Sequence, residues 1–311
     1  MPIVLDVLLP VFGLLLFGWG ATFLPAFDRQ AQRGLAVFVF WFALPVALFR
    51  TTLGTDAAAT LEWRFLAAYY GGLFLVFAGA LVIARRGQGR TTAESAILAF
   101  GATYSNMVML GIPLIITAFG QAGSVAIFLL VAFHSILVFP TVTVLIELGR
   151  GDGARLRDLP WNTAKGLITN PILMSLALGL LAGHLGLTLP EAVDRVAEQL
   201  GRAAVPCALF ALGASLRHYR IVGGLRVAAL PIVGKALVMP ALIYLLAFHV
   251  FRLGAPWAAV AVVVAALPTG VNPYLFAERY DTLVGPIATS ILVTTLISVA
   301  TVSALLILLH G

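Results

Sequence analysis

Long apolar stretches separated by short polar segments follow one another along the whole chain. Ten of these stretches are long enough, at roughly 20 residues, for a helix to cross the hydrocarbon core of a bilayer. They are residues 3–24, 34–52, 65–84, 95–119, 124–147, 167–187, 196–216, 227–251, 255–279 and 283–309. The polar segments between them are short, so the pattern predicts an all-α polytopic membrane protein with ten transmembrane helices and no soluble domain.

The fourth and ninth spans are interrupted by residues that a straight transmembrane helix does not tolerate. The interruptions are Ser105, Asn106, Gly111 and Pro113 in the fourth span, and Pro268, Thr269, Gly270, Asn272 and Pro273 in the ninth. Proline removes a backbone donor, and freed carbonyls at bilayer depth are tolerated only inside protein or beside a cavity. Matching breaks in two halves of a chain point to the binding site of a secondary transporter. The positive ends of the half-helices are suited to an anion.

One internal register, an offset of 161 residues, recurs through the chain. It relates Pro10 to Pro171, Gly18 to Gly179, Pro45 to Pro206 and Phe119 to Tyr280. The two breaks coincide in this register, and each half holds five spans. Because five is odd, the second half enters the membrane upside down, which makes this a 5+5 inverted repeat with crossing helices 4 and 9. The predicted repeats are residues 1–148 and 167–311, joined by a cytoplasmic linker at residues 149–166.

Composition and charge fit this interpretation. Hydrophobic residues make up 61% of the 311 residues and charged residues 10%, whereas a soluble domain is about one quarter charged. Of the 19 Lys and Arg residues, most fall in loops on one side, which identifies that side as cytoplasmic. Both termini are therefore predicted to be non-cytoplasmic, in a bacterial inner (plasma) membrane. The basic loops are explained by topology, so no nucleic-acid partner is expected.

The polar residues at the breaks are the candidate substrate site. The predicted substrate-binding residues are Asn106, Asn272, Ser105, Thr269, Gly111 and Gly270, and the helix-breaking residues are Pro113, Pro268 and Pro273. An asparagine here either donates its amide to a substrate carboxylate or only caps a half-helix. The two hydroxyls either contact the substrate or bond back to their own helix.

Lys235 and His134 are candidates for charge compensation or ion coupling, because each lies within a predicted span. Lys235 is either a counter-charge for an anion or a structural lysine bonded to broken-helix carbonyls. His134 either carries a proton or bonds across helices. No Asp or Glu lies in the middle of a predicted span, and neither the histidines nor Cys207 are spaced for a metal site. No cofactor is expected.

Several motifs of the chain resemble the auxin efflux carrier family, which includes plant auxin exporters and bacterial malate and malonate carriers. They are Ser105-Asn-Met-Val-Met-Leu-Gly-Ile-Pro113, Leu267-Pro-Thr-Gly-Val-Asn-Pro273, Ala277-Glu-Arg-Tyr280, Thr169-Asn-Pro171 and Leu212-Gly-Ala-Ser-Leu216. The resemblance implies a fold like those of sodium/bile-acid symporters and sodium/proton antiporters. Helices 1, 2, 6 and 7 would form a scaffold, and helices 3–5 and 8–10 a moving transport domain. It also implies a homodimer with Pro45 and Pro206 near the interface, and a Lys235 charge where related folds hold sodium.

The expected function is secondary transport of small organic anions, mono- or dicarboxylates such as malate, malonate or auxin-like acids, by an elevator-type mechanism. The alternative is a sodium- or proton-coupled symporter of bile-acid-like amphipathic anions. A transceptor or an intramembrane enzyme is less favoured, because the breaks carry amides and hydroxyls but no positioned nucleophile or metal site. The expected partners are the organic anion and the lipid bilayer, and coupling to a sodium ion or a proton stays open.

Overall fold

The fold comes from a computed structural model that describes residues 4–53, 62–151, 158–219 and 224–310. Every regular element in these ranges is a helix, which confirms the all-helical membrane-protein class. Six of the described helices are long and apolar enough to cross a membrane, and a bent pair would add a seventh. Four residues named in the predictions lie outside the described residues: Ile3, where the predicted first span begins, and Arg155, Arg157 and Arg220 of the basic loops.

Fifteen α-helical elements are described, and the longest of them, Ile112–Arg150, is kinked at the non-helical backbone of Gly120. They are α1 (Leu9–Ala21), α2 (Arg29–Phe38), α3 (Leu44–Leu53), α4 (Trp63–Val82), α5 (Thr92–Thr103), α6 (Ile112–Arg150), α7 (Leu159–Ile168), α8 (Pro171–His184), α9 (Glu191–Arg202), α10 (Ala204–Ser215), α11 (Leu225–Val233), α12 (Met239–Tyr244), α13 (Trp257–Ala266), α14 (Asn272–Arg279) and α15 (Val284–His310). Short π-helical turns extend or join several of them, at Val4–Leu8, Val39–Ala43, Ile83–Gly87, Met107–Gly111, Gly234–Val238 and Leu245–Val250.

The chain divides into two compact units. Unit 1 comprises Met1–Glu62, Val108–Ala132 and Ala164–Arg217, and unit 2 comprises Trp63–Met107, Phe133–Thr163 and His218–Gly311. The helices α1, α2, α3, α8, α9 and α10 lie in unit 1, whereas α4, α5 and α11 to α15 lie in unit 2.

Unit 1 is built on two close helix pairs, α1 with α10 and α3 with α8. A Cβ atom on Gly18 of α1 would lie 2.0 Å from the carbonyl oxygen of Phe210, so only glycine fits there. Gly179 of α8 is equally close to α3, because its Cβ would lie 2.0 Å from the Thr52 hydroxyl and 2.7 Å from the carbonyl oxygen of Phe49. Such small residues let helix backbones approach each other in a membrane, where the hydrophobic effect between helices is weak.

A bidentate ion pair links α3 to α9 within unit 1. The Arg50 guanidinium donates from Nε and Nη2 to the two carboxylate oxygens of Asp194, at 2.6 and 2.9 Å. A second acid on α9, Glu198, lies 3.5 Å from Arg50 Nη2. The fork geometry fixes the relative orientation of these two side chains better than a single contact does.

Unit 2 encloses the apolar helix α13, of which every residue from Ala258 to Ala266 is buried. This helix packs against α12 and α15, while α5 packs against α4 and α11. Because α5 and α13 belong to the two interrupted spans, unit 2 contains the point where the chain leaves both helices.

Two element boundaries differ from those that the apolar pattern predicts. The predicted linker at residues 149–166 contains most of α7, and the sixth span begins only at Pro171. The reason is a strong helix start, in which the Asn170 side chain accepts from the N–H groups of Ile172 and Leu173. The helical segment of the seventh span begins with α9, at Glu191, whereas the predicted span begins at residue 196. The first turns of α9 are polar, so a pattern of apolar stretches does not include them.

Candidate functional site

The two broken segments meet within unit 2 as a short antiparallel crossing. Ser105, two residues after α5, forms an isolated β-bridge with Thr269, three residues after α13. The Gly270 N–H donates to the carbonyl oxygen of Tyr104 at 2.9 Å, and the Asn106 N–H donates to that of Pro268 at 3.0 Å. Backbone groups freed by each break are therefore satisfied by the other break.

The two hydroxyls at the crossing cap each other's broken helices. Ser105 Oγ donates to the carbonyl oxygen of Val264 in α13 at 2.8 Å, and Thr269 Oγ1 donates to that of Gly101 in α5 at 2.9 Å. Neither bond returns to the residue's own helix. Because a hydroxyl has one proton, both are committed as donors in this structure and can only accept from a ligand. Their role as substrate ligands stays a prediction.

The two asparagines are engaged differently. Asn106 is buried, and its side-chain amide has no hydrogen-bond partner among the described residues. Asn272 is half-buried at the start of α14, and its Nδ2 donates to the Tyr104 hydroxyl at 2.5 Å. Neither side chain caps α14, whose preceding residue is Val271. Asn106 therefore holds an unused amide beside the crossing.

Lys235 reaches the same region from the π-helical turn between α11 and α12. Its side chain is fully buried, and Nζ donates to the carbonyl oxygen of Ala265. Ala265 is the penultimate residue of α13, where the helix dipole places partial negative charge. No carboxylate pairs with Lys235 in the described part of the chain.

His134 of α6 is buried beside the crossing. Only 3% of the residue is exposed, and neither ring nitrogen has a hydrogen-bond partner in the part of the chain that the structure describes. Its ring lies 4.6 Å from that of Tyr104, and 6.0 and 6.4 Å from those of Tyr70 and Tyr69. Tyr104 therefore contacts both His134 and Asn272, which makes it the link between two predicted site residues.

Sequence reasoning missed Tyr104 as a site residue. It stands directly before Ser105, next to the motif, but an aromatic residue within an apolar span gives no polar signal of its own. Its long-range bond to Asn272, 168 positions away, depends on the crossing itself.

The remaining predicted residues divide between the units. Gly270 packs against the Tyr104 ring, since a Cβ there would lie 2.8 Å from a ring carbon, and the buried Pro273 stands in the first turn of α14. The other four belong to unit 1, and their roles stay predictions: Gly111, Pro113, Pro45 and Pro206. Among the described residues there is no group of three or more His, Cys, Asp or Glu side chains that could hold a metal.

A cavity of about 910 Å³ opens in unit 1, and it is a different feature from the crossing. Its lining includes Arg50, Asp194 and Glu198, and it includes none of the predicted site residues. Its two arginines, Arg50 and Arg202, are already paired with Asp194 and Glu198. This cavity therefore offers no uncompensated positive charge to an anion.

Comparisons with known proteins identify the family of the chain. The model of the family described as "Membrane transport protein" matches residues 3–306. A protein of Rhizobium meliloti (strain 1021) named "Putative malonate transporter" is 27% identical over 303 residues, which cover 97% of this chain and 95% of that protein. The "Auxin efflux carrier component 8" of Arabidopsis thaliana is 31% identical over 144 residues, 44% of this chain and 39% of its own.

The family match covers nearly the whole chain, and the relatives are named as transporters. The protein is thus an integral membrane transporter and not an enzyme. The chain belongs to the membrane transport protein family, the family of the auxin efflux carriers that the motifs at the two breaks resemble.

Proposed function

We propose that this transporter moves small organic anions, mono- or dicarboxylates, and that it binds them where the two broken spans cross. The observation that carries the proposal is the set of hydrogen-bond donors and charge gathered in unit 2. The unused Asn106 amide and the fully buried Lys235, which has no carboxylate partner among the described residues, lie on elements that meet at α13 or at the crossing. A buried ammonium group without a carboxylate partner is costly, and a bound anion would compensate that cost.

The names of the relatives support a carboxylate as the substrate. Malonate is a dicarboxylate and auxins are organic acids, so the two names share the carboxylate group and little else. A site built from amides and one ammonium group recognises that shared group without requiring a particular carbon skeleton. The proposed substrates are accordingly malate, malonate and auxin-like acids.

The proposed architecture is the ten-helix 5+5 inverted repeat. Two contacts of unit 1 support it: Gly18 packs on the backbone of Phe210, and Gly179 packs on that of Phe49. Gly18 and Gly179 are 161 positions apart, and so are Phe49 and Phe210. A two-fold repeat in that register requires such reciprocal pairs.

We further propose that transport is elevator-like, with a homodimeric scaffold in a bacterial inner membrane. The helices assigned to the scaffold spans, α1, α2, α3, α8, α9 and α10, pack together within unit 1, which supports this division. Residues Val108–Ala132 do not fit this division. They belong to unit 1, although the proposal assigns them to the moving domain.

Thermal unfolding of the purified protein against a panel of carboxylates tests the function. A ligand that binds the native state raises its apparent stability, so malonate, malate or indole-3-acetate is expected to raise the melting temperature. Malonamide, which has the shape of malonate without its charge, is the matched control and should give no shift. Each ligand is measured with and without sodium and at two pH values, because a sodium- or proton-dependent shift identifies coupling. A panel in which no carboxylate stabilises the protein would contradict the proposal.

A further inference from the structure

Tyr104 is positioned at the crossing by three neighbouring rings and two backbone hydrogen bonds. Its ring lies 4.9 Å from that of Phe100, 4.6 Å from that of His134 and 5.6 Å from that of Phe139. Its backbone N–H donates to Phe100, and its carbonyl accepts from Gly270. The position of the hydroxyl group is therefore set by the surrounding structure before any ligand binds.

The hydrogen bond to Asn272 leaves one donor free on each partner. A phenol hydroxyl has one donor and can accept as well, and a side-chain amide nitrogen has two N–H groups. Tyr104 accepts one N–H from Asn272 at 2.5 Å. No acceptor for the Tyr104 O–H, or for the second N–H of Asn272, lies among the described residues.

These two free donors have the arrangement that a carboxylate requires. They stand on neighbouring heavy atoms, one O–H and one N–H, and a carboxylate offers two acceptor oxygens side by side. A hydroxyl that accepts a hydrogen bond is polarised and becomes a better donor. Acceptance from Asn272 thus strengthens the O–H of Tyr104 as a donor toward an anion.

We propose that Tyr104 is a substrate-binding residue, which together with Asn272 binds one carboxylate group of the transported anion. The proposal rests on the proposed function, and it adds to that site a residue outside the polar motifs. It also explains why a tyrosine stands beside the break. A phenylalanine would fill the same space between Phe100, His134 and Phe139 but would leave the anion with one donor fewer.

The test is calorimetric binding of malonate to the purified full-length protein and its variants. Tyr104→Phe keeps the ring and deletes the hydroxyl, so its dissociation constant for malonate should rise about 10- to 150-fold, the range for a hydrogen bond to a charged group. Tyr244→Phe deletes the hydroxyl of a tyrosine that is exposed on α12. It is the matched control and should bind as the wild type does.

A double-mutant cycle with Asn272→Ala sharpens the test. Two donors to one carboxylate are coupled, so the double variant should lose less affinity than the product of the two single losses. Independent losses would mean that the two groups do not hold the same carboxylate. Unchanged or tighter binding by Tyr104→Phe overturns the proposal, because the hydroxyl would then contribute no hydrogen bond to the anion.

A measurement on the wild type covers the case in which Tyr104→Phe does not fold. Donation from a tyrosine hydroxyl to a carboxylate shifts the ultraviolet absorption of the phenol, so malonate should produce a tyrosine difference spectrum, and Tyr244→Phe should preserve it. If malonate binds without producing that spectrum, the role of Tyr104 is contradicted, but the proposed function is not. An absence of malonate binding and of every other carboxylate in wild type contradicts the proposed function itself.

Discussion

At the scale of single residues, the two asparagines of the crossing differ in the partners of their amides. Asn106 has an unused amide, whereas Asn272 is held by Tyr104. If both contact one anion, Asn106→Ala and Asn272→Ala should each weaken binding by about 1.5 to 3 kcal/mol, roughly 10- to 150-fold. The two losses should not add, since neighbouring contacts to one ligand are coupled. Calorimetry with the carboxylate identified by thermal unfolding measures both.

A matched control for the asparagine variants is Asn170→Ala. Asn170 caps α8 in unit 1 through the N–H groups of Ile172 and Leu173. Loss of this cap should lower the melting temperature, since an N-cap stabilises a helix by about 1 kcal/mol. The affinity for the carboxylate should be unchanged. Wild-type affinity in both crossing variants would move the binding site away from the crossing.

Lys235 allows function to be separated from structure. Lys235→Met keeps most of the side-chain volume and removes a buried charge that has no carboxylate partner in the described structure. We expect transport to be lost while the melting temperature stays equal or rises, because replacing a buried charge by an apolar group removes its desolvation cost. Uptake into proteoliposomes and thermal unfolding measure the two effects. A folded variant with normal transport would show that Lys235 has only a structural role, through its contact with the carboxyl end of α13.

Residue chemistry predicted the break residues from the sequence but not the contacts between them. A proline, an asparagine or a lysine inside an apolar span can be recognised from the sequence of that span alone. The bond from Ser105 to Val264, and that from Asn272 to Tyr104, join positions 159 and 168 residues apart. No local pattern encodes which distant carbonyl or hydroxyl a side chain reaches. The structure was needed to identify Tyr104 for that reason.

At the scale of elements, the break after α13 is itself expected to contribute to binding. Pro268 cannot donate a backbone hydrogen bond, and its carbonyl accepts from the Asn106 N–H at 3.0 Å. Pro268→Ala restores a donor that lets α13 continue, so the crossing should loosen and affinity for the carboxylate should fall without loss of a side-chain contact. Pro140→Ala is the control, because Pro140 lies inside the helical segment Ala122–Arg150, on the carboxyl side of the kink at Gly120. Equal affinities of the two variants would show that the shape of the break does not matter.

The helix pairs of unit 1 give a second prediction at this scale. Gly18→Ala and Gly179→Ala each place a Cβ within about 2.0 Å of an oxygen on the facing helix. Each should therefore lower stability by about 1 to 3 kcal/mol, the usual cost of overpacking. Gly13→Ala, on the same helix α1 as Gly18, meets no atom within 4 Å and should be neutral or stabilising, because alanine favours helix.

Thermal unfolding in detergent ranks these three variants. A similar loss of stability in Gly18→Ala and Gly179→Ala supports the repeat with an offset of 161 residues, because its reciprocal contacts should be affected equally. A neutral Gly18→Ala would contradict the close packing of α1 on α10.

Helix boundaries were predicted best where hydrophobicity alone determines them. Residues 227–251 and 283–309 were predicted as spans, and the structure gives helical spans at Leu225–Val250 and Val284–Leu309. The prediction was poorer at α9, where Glu191 and Asp194 occupy the first turn. An amphipathic helix start resembles a loop when only apolar stretches are counted, and the salt bridge that anchors it to Arg50 is a long-range contact.

At the scale of the whole molecule, hydrophobic composition and the family match agree that the chain is a membrane transporter. Its orientation in the bilayer is a separate physical question. Basic loops are retained on the cytoplasmic side, so charge asymmetry decides orientation independently of how the helices pack. Orientation matters for the proposed function, because the proposed inverted repeats would expose the crossing alternately to the two sides.

The last prediction is that residues 85–90 and the segment joining the two repeats face the cytoplasm, while both termini and residues 185–189 do not. Single cysteines can be placed at Gly87 and Thr188, which are both exposed, in a Cys207→Ala background that removes the native thiol. A membrane-impermeant maleimide added to intact cells should label Thr188→Cys and spare Gly87→Cys. In inside-out vesicles the two reactivities should exchange, which controls for the intrinsic reactivity of each position. Labelling of Gly87→Cys from outside intact cells would reverse the orientation of the first repeat, and with it the assignment of which face of the crossing opens to the cytoplasm.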